Sequence, residues 1–481
     1  MNNNHPQTFD DIYDHRVGHG RYQRIAYFFL GLVAFSDEAE IITLSIILPA
    51  ISKEWNLSET QQQLLGSVLF LGIFFGSLII GPIADKMGRR FALIVSVSLQ
   101  LIFGLGAVSI RSFNLFLALR ALLGMTIGCT IPVAVTYITE ISISSYRGKS
   151  QVFVQAFFVF GMIYAMIISK LFMTNLESGH WRNMLFAGAV PNLVVLMGIL
   201  FFIEESPRFL AATERFQDSF NVMNKIASVN LGLPHRVISH EDKEAIRAWQ
   251  ETYFQTRDKT SFLMLFKGRN RRITLCLLFS WFGLSFNFYG MIFILPFVLG
   301  GSTSLVGEVS DINKFFIVLF GEVPALGVAY YLLDNHMFGR KKSTIFGHVL
   351  SAVAFFIAYF CSGTPVLIFL ILARLATKLS FITINPLTTE LYQTHHRALA
   401  LGFTSGVGRL GAVLMPVVIY ALFDVNKSLP FIAFGGISVI MAIILAFIPY
   451  EPLGTQLDEI IESEERMGDD VKDEEKYLLT S

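Results

Sequence analysis

The chain has 481 residues, and its 37 lysines and arginines balance 37 aspartates and glutamates, so no basic surplus points to nucleic acid as a partner. Hydrophobic residues make up 53% and charged residues only 15%, and the mean hydropathy is +0.56. That composition excludes an ordinary soluble protein of this length and marks one integral to the lipid bilayer.

Residues 1–23 form a polar segment with Asp10, Asp11 and Asp14, and no charged start followed by a short cleavable apolar core, so the amino terminus is expected in the cytoplasm. Apolar stretches of about twenty residues, the length that crosses a bilayer, then recur near 24–51, 62–84, 91–110, 114–138, 150–172, 183–203, 273–299, 313–333, 344–362, 365–389, 400–423 and 429–449. The chain thus divides into a first six-helix bundle at 24–203, a cytoplasmic linker at 204–272, a second bundle at 273–451 and an acidic cytoplasmic tail at 452–481. Within the linker Phe216, Phe220, Val222, Met223 and Ile226 are spaced as on an amphipathic helix of the cytoplasmic face. The tail ends in Glu474 to Leu479, an acidic dileucine pattern of the sorting type. Basic residues set the orientation: Lys86, Arg89 and Arg90, then Arg147 and Lys149, then Arg340, Lys341 and Lys342, then Arg397 follow the even-numbered spans, and the positive-inside rule puts both termini in the cytoplasm. Cys129, Cys276 and Cys361 lie in spans at mismatched depths, which fits packing rather than a disulfide or a metal site. No phosphate-cradling loop, nucleophile constellation or histidine cluster appears, so neither ATP drive nor an enzyme is expected, and no cofactor is called for.

The two halves repeat one another. Glu140 precedes Arg147 by seven residues and Glu390 precedes Arg397 by seven, and each of these spans carries an arginine upstream, Arg120 and Arg374. Charge within a span is expensive and marks a solute or ion path. A duplicated bundle of this kind places a site between the halves at mid-membrane, with the halves rocking around it. Asp37 and Glu40 share a helix face, and Glu38 points about 100° away from Asp37. Such acids must be paired, hydrated or protonated, and an acid facing Arg120 is suited to take or release a proton as water access changes; a fixed ion pair is the other reading. In the second half Arg374, Lys378 and Arg409 offer up to three cations, with Glu322 able to neutralise one. Uncompensated cations favour an organic anion such as a small carboxylate, while the acids keep an organic cation or zwitterion open. Gln155, Asn287 and Tyr289 are polar residues suited to a ligand head group or to bonds between helices, and Trp281 is a candidate cavity residue.

After the second span comes Gly81-Pro-Ile-Ala-Asp85-Lys-Met-Gly88-Arg89-Arg90, and a degraded copy, Asp334 to Gly339-Arg340-Lys341-Lys342 with two extra residues between acid and glycine, follows the eighth. This turn resembles the signature loop of the major facilitator superfamily. Gly18-His-Gly-Arg21, Asp37-Glu38-Ala-Glu40, Glu204-Glu205-Ser-Pro207-Arg208, Phe286-Asn287-Phe-Tyr289-Gly290 and Gly406-Val-Gly408-Arg409-Leu-Gly411 resemble the branch of synaptic vesicle glycoproteins and their relatives, bacterial niacin carriers and organic ion transporters. It departs from that branch at Glu204, where proline usually opens the motif, and at Pro449-Tyr-Glu451-Pro452, which replaces the sugar-porter ending. The resemblance implies an all-α membrane protein of twelve helices in two halves, inward termini and monomeric transport of a small organic solute by alternating access. It also implies that an acid of span one works with Arg120 in proton coupling, and that a basic residue at Arg409 goes with anions. It implies an inner charge network in which Glu140 with Arg147, Glu390 with Arg397, and Glu205 with Arg208 gate the cytoplasmic side, together with Gly81, Asp85, Gly88, Arg89, Arg90, Asp334, Gly339 and Arg340. A carrier-fold vesicle or receptor protein that no longer transports is the alternative. The membrane of residence is the plasma or bacterial inner membrane, or that of an organelle or vesicle.

Overall fold

In the computed structural model, which describes residues 9–143, 146–232, 238–257, 262–299, 311–333, 335, 337–361, 363–392 and 397–452, nearly all backbone is helical. A short helix α1 (Phe9–Ile12) leads into the first bundle: α2 (Arg21–Glu54), α3 (Glu59–Met87), α4 (Arg89–Val108), α5 (Phe113–Ile141), α6 (Arg147–Phe172) and α7 (Trp181–Phe202). The linker supplies α8 (Pro207–Ala212), α9 (Phe216–Leu231) and α10 (His240–Arg257). The second bundle follows as α11 (Gly268–Leu299), α12 (Asp311–Leu319), α13 (Glu322–Leu333), α14 (Gly339–Phe360), α15 (Thr364–Glu390), α16 (Arg397–Val425) and α17 (Leu429–Ala446).

Counting α12 and α13 as one crossing, eleven of the described helices are long and apolar enough to span a bilayer. The twelfth, α2, falls outside that criterion because Asp37, Glu38 and Glu40 interrupt it, yet it is 34 residues long and buried almost continuously from Ser36 to Ile51. Large apolar side chains such as Phe75, Ile102, Phe186, Phe201, Ile368 and Ile443 stand exposed on the outside. In water they would form an adhesive patch; in a bilayer they meet acyl chains.

Span eight is not continuous. Gly321 separates α12 from α13 where the chain passes against the Ile371 carbonyl of α15, an approach at which a Cβ would collide. The break makes Glu322 the first residue of α13, where free amides favour a carboxylate. Close approach also governs α3 and α5: Gly72 and Gly76 face the α5 backbone at Ala121 and Met125, and Gly124 and Gly128 face the α3 backbone at Leu69 and Ile73. Without side chains at these positions the helices touch backbone to backbone, which is how membrane helices gain packing energy when lipid offers no hydrophobic drive.

The linker helices fold onto the protein. Phe220, Met223 and Ile226 of α9 are buried among Val17, Tyr22 and Ala26 rather than turned to a surface. The N-terminal segment docks there too: Arg16 pairs with Asp242 of α10 at 3.0 Å, Arg208 with Asp10 at 3.0 Å, and Phe9 packs on Trp249 with centroids 5.2 Å apart. The acidic tail with its dileucine pattern lies outside the described residues, apart from Pro452.

Candidate functional site

Two charged clusters sit inside the bundles. In the first half, Glu40 pairs with Arg120 of α5 at 3.3 Å, both 1% exposed, and the guanidinium lies 5.0 Å from the Phe116 ring. Asp37 does not meet Arg120. Its carboxylate accepts hydrogen bonds from Gln100 Nε2 of α4 and Thr130 Oγ1 of α5, both at 2.8 Å. The shared face read from the sequence therefore points into the first bundle, but its two acids have separate partners.

The third acid, Glu38, faces the other way. It is 2% exposed, its Oε1 has no hydrogen-bond partner among the described residues, and it lies within electrostatic range of Glu322, Lys378, Arg374 and Arg409 of the second half. Seven residues further along α2, on the same face, Ser45 donates to the Ile292 carbonyl of α11 at 2.7 Å and fixes that face against the partner half. The sequence held the signal in the 100° offset from Asp37, but the offset does not say which neighbour stands there.

In the second half Glu322 is shared by two cations, Arg374 by a direct ion pair and Lys378 at 2.8 Å, all three buried. Arg374 also donates from Nη1 to the Phe288 carbonyl at 2.8 Å and lies 4.1 Å from the Phe288 ring. Lys378 lies 5.2 Å from that ring and 5.8 Å from Phe158 of α6, so it reaches the boundary between halves. Gln155, one turn before Phe158, has an unpartnered Oε1 there. Arg409 of α16 is half-buried, donates to the Tyr289 hydroxyl at 2.5 Å, and has no carboxylate within ion-pair distance among the described residues. Tyr289 in turn packs on Phe70 of α3, centroids 4.6 Å apart.

Two sequence candidates stand apart. The Asn287 amide donates to the Phe434 carbonyl at 3.0 Å and to Ser438 at 2.8 Å, which ties α11 to α17. Trp281 donates to Thr388 at 3.1 Å and is buried within the second half. Lys314 of α12, unremarked in the sequence because it opens an apolar run, is buried as well.

The signature-loop residues assemble two matching clusters, one at the same end of each bundle. Gly81 is exposed on α3; Gly88, with φ of 100°, turns the chain sharply from α3 into α4. Arg89 pairs there with Asp85 at 3.0 Å and Glu140 at 3.1 Å, and Arg90 donates to the Leu200 carbonyl at 2.8 Å. Glu205 accepts from the Arg89 and Arg90 amides at 2.9 and 3.2 Å. Burial pushes its carboxyl above the usual range, against the lowering by the Ser206, Arg90 and Arg89 amides. In the second half Gly339, with φ of 67°, takes the place of Gly88, and Arg340 pairs with Glu390 at 2.9 Å. Glu451 accepts from the Arg340, Lys341 and Lys342 amides at 2.6, 3.0 and 3.2 Å, as Glu205 does in the first half. The departure Pro449-Tyr-Glu451-Pro452 thus keeps the capping carboxylate. Among the described residues Glu140 pairs with Arg89, Glu390 with Arg340, and Arg208 with Asp10, the last being a different partner from the Glu205 expected from sequence. The side chains of Arg147 and Arg397, and Asp334 altogether, lie outside the described residues.

Two bundles of six with a signature turn in each have the fold of the major facilitator superfamily. The chain superposes on the xylose transporter XylE of E. coli in a partially occluded inward open conformation with a TM-score of 0.72, 19% identity, and coverage of 91% of this chain and all of that one. On the proton:xylose symporter XylE bound to 6-bromo-6-deoxy-D-glucose the TM-score is 0.70, again at 19% identity, over 89% and 96%. Residues 21–463 match the model of the Sugar (and other) transporter family, and the chain belongs to that family. Among its relatives are the synaptic vesicle 2-related protein of Xenopus laevis, 28% identical over 92% of this chain and 81% of that protein, and the putative transporter svop-1 of Caenorhabditis elegans, 27% identical over 92% and 85%.

Proposed function

We propose that the protein is a proton-coupled carrier of a small organic anion, a carboxylate being the type solute, working by alternating access. The observation that carries this is Arg409: a guanidinium facing the boundary between halves with a tyrosine hydroxyl beside it but no carboxylate within ion-pair distance among the described residues. Arg374, Lys378 and Arg409 against Glu322 leave two positive charges at the boundary, and Glu38 cancels one of them when ionised. An uncompensated charge away from water is costly, so a site of this kind is completed by an anion. The neutral sugar named with the bound symporter offers no such counter-charge. The driving proton rides on the carboxylates of α2, where Glu40 pairs with Arg120 and Asp37 accepts from Gln100 and Thr130. A zwitterion is the second reading, favoured by the unpartnered Glu38 oxygen opposite Arg409.

The test is a thermal-shift screen of the detergent-solubilised protein against carboxylates, amines, nucleosides and sugars, since a ligand of the folded state raises its melting temperature by mass action. Carboxylates are expected to stabilise the wild type and to have no effect on Arg409→Ala. In proteoliposomes the same carboxylate is expected to accumulate under an inward proton gradient. Stabilisation by amines alone would overturn the anion reading, and an absence of flux for any stabilising solute would favour a carrier-fold receptor.

A further inference from the structure

Of the three acids on α2, two already have partners inside the first bundle. Glu40 holds Arg120, and Asp37 holds Gln100 and Thr130. Glu38 has neither. It is buried, its Oε1 is unpartnered, and no ion pair joins it to a cation among the described residues. The groups that face it are Glu322 of α13, Arg374 and Lys378 of α15, Arg409 of α16 and Tyr289 of α11, with Asp37 beside it on its own helix. It is the first bundle's carboxylate turned toward the second bundle's cations.

Resting on the anion reading above, we infer that Glu38 is the proton-binding group that admits the substrate: ionised, it is the site's tethered counter-anion, and protonated, it yields the cations to the substrate carboxylate. An ionised Glu38 beside an entering carboxylate puts two like charges in a poorly hydrated space, which disfavours both. One proton on Glu38 removes that repulsion and turns the side chain into an O–H donor for the substrate oxygen. Linkage is reciprocal, so the anion raises the proton affinity of Glu38 by the factor by which the proton raises anion affinity. No covalent step is involved; one proton and one monovalent anion enter together. The position between halves that move past one another also lets the water access of Glu38 alternate.

The experiment uses the full chain and the most strongly stabilising monocarboxylate from a panel of acetate, lactate, benzoate and phenylacetate. Its Kd is measured from pH 5.5 to 8.5 for wild type, Glu38→Gln, Glu38→Asp and Arg409→Ala. Wild-type Kd is expected to weaken by about tenfold per pH unit once Glu38 ionises, the limit for one coupled proton. Glu38→Gln is expected to bind with the low-pH affinity throughout and, in proteoliposomes, to retain carboxylate exchange while losing accumulation driven by a pH gradient. Glu38→Asp, which keeps a titrating group, retains the slope at a shifted midpoint, and so separates coupling from a folding defect. A slope that survives Glu38→Gln and vanishes in Asp37→Asn or Glu40→Gln overturns the inference and leaves the anion reading intact. If no carboxylate binds wild type, or if Arg409→Ala binds as wild type does, the anion reading itself falls and this inference falls with it.

Discussion

Glu322 carries two cations on one carboxylate. Arg374 has the Phe288 carbonyl and ring besides, but Lys378 has only Glu322 and two aromatic faces within reach among the described contacts. Buried pairs contribute little net stability because desolvation offsets the attraction, whereas removing one member strands the rest. Glu322→Ala is therefore expected to cost about 3–5 kcal/mol and to lower the melting temperature of the solubilised protein markedly. The triple change Glu322→Gln, Arg374→Met, Lys378→Met should recover most of that loss while abolishing anion binding. A Glu322→Ala protein that melts with the wild type would mean that water already solvates the two cations.

At the scale of elements, the linker and the N-terminal segment behave as one layer. Asn230 of α9 accepts from the Tyr22 amide at 3.0 Å and donates to the Val17 carbonyl at 3.2 Å, so α9 is tied to the entry of α2. Asp242 ties α10 to Arg16. Burial raises the Asp242 carboxyl, but the Ser239 amide and hydroxyl and the Arg16 guanidinium outweigh it and hold the group below its ordinary value. A carboxyl lowered on folding stabilises fully above its unfolded value of about 3.9 and loses that contribution as pH falls through its folded value. Amide exchange of α10 is accordingly expected to stay slow and constant from pH 7 to 5, once corrected for intrinsic rates, and to accelerate below about 4. Arg16→Ala, which removes one of the groups that lower the carboxyl, should shrink that acid loss and speed α10 exchange already at pH 7. Unchanged exchange in Arg16→Ala would show that the ring contact of Phe9 with Trp249 alone holds the layer.

For the whole molecule, the halves meet toward the ends of the spans away from the linker: Ser45 with Ile292, Phe70 with Tyr289 and Phe293, and Gly66 with Pro416. A Cβ on Gly66 would lie 3.5 Å from the Pro416 Cβ, within the span of a disulfide at about 3.5–4.5 Å. The pair Gly66→Cys, Pro416→Cys, placed in a background with Cys129, Cys276 and Cys361 changed to serine, is expected to crosslink under mild oxidation. The bond should stop flux and release it on reduction, because a carrier held shut on one face cannot complete its cycle. Full flux in the crosslinked protein would rule out rocking of the halves at this contact.

The twelve spans and the twofold repeat were legible in the sequence, because crossing hydrocarbon demands runs of apolar residues wherever they later pack. The Gly88 and Gly339 turns were legible for a similar reason: a backbone angle is a local requirement. Partner choice was not local. Asp37, Glu38 and Glu40 look alike in the chain, and only the packing of α2 against α4 and α5 on one side and against the second half on the other gives Asp37 amide and hydroxyl donors, Glu40 a guanidinium, and Glu38 no hydrogen bond at its Oε1. The same holds for Glu140, whose pairing with Arg89 joins two helices, and for Glu451, whose capping of α14 appears only when the chain end returns to it. Charges inside a membrane are placed by which helix stands opposite, and that is settled by the tertiary fold.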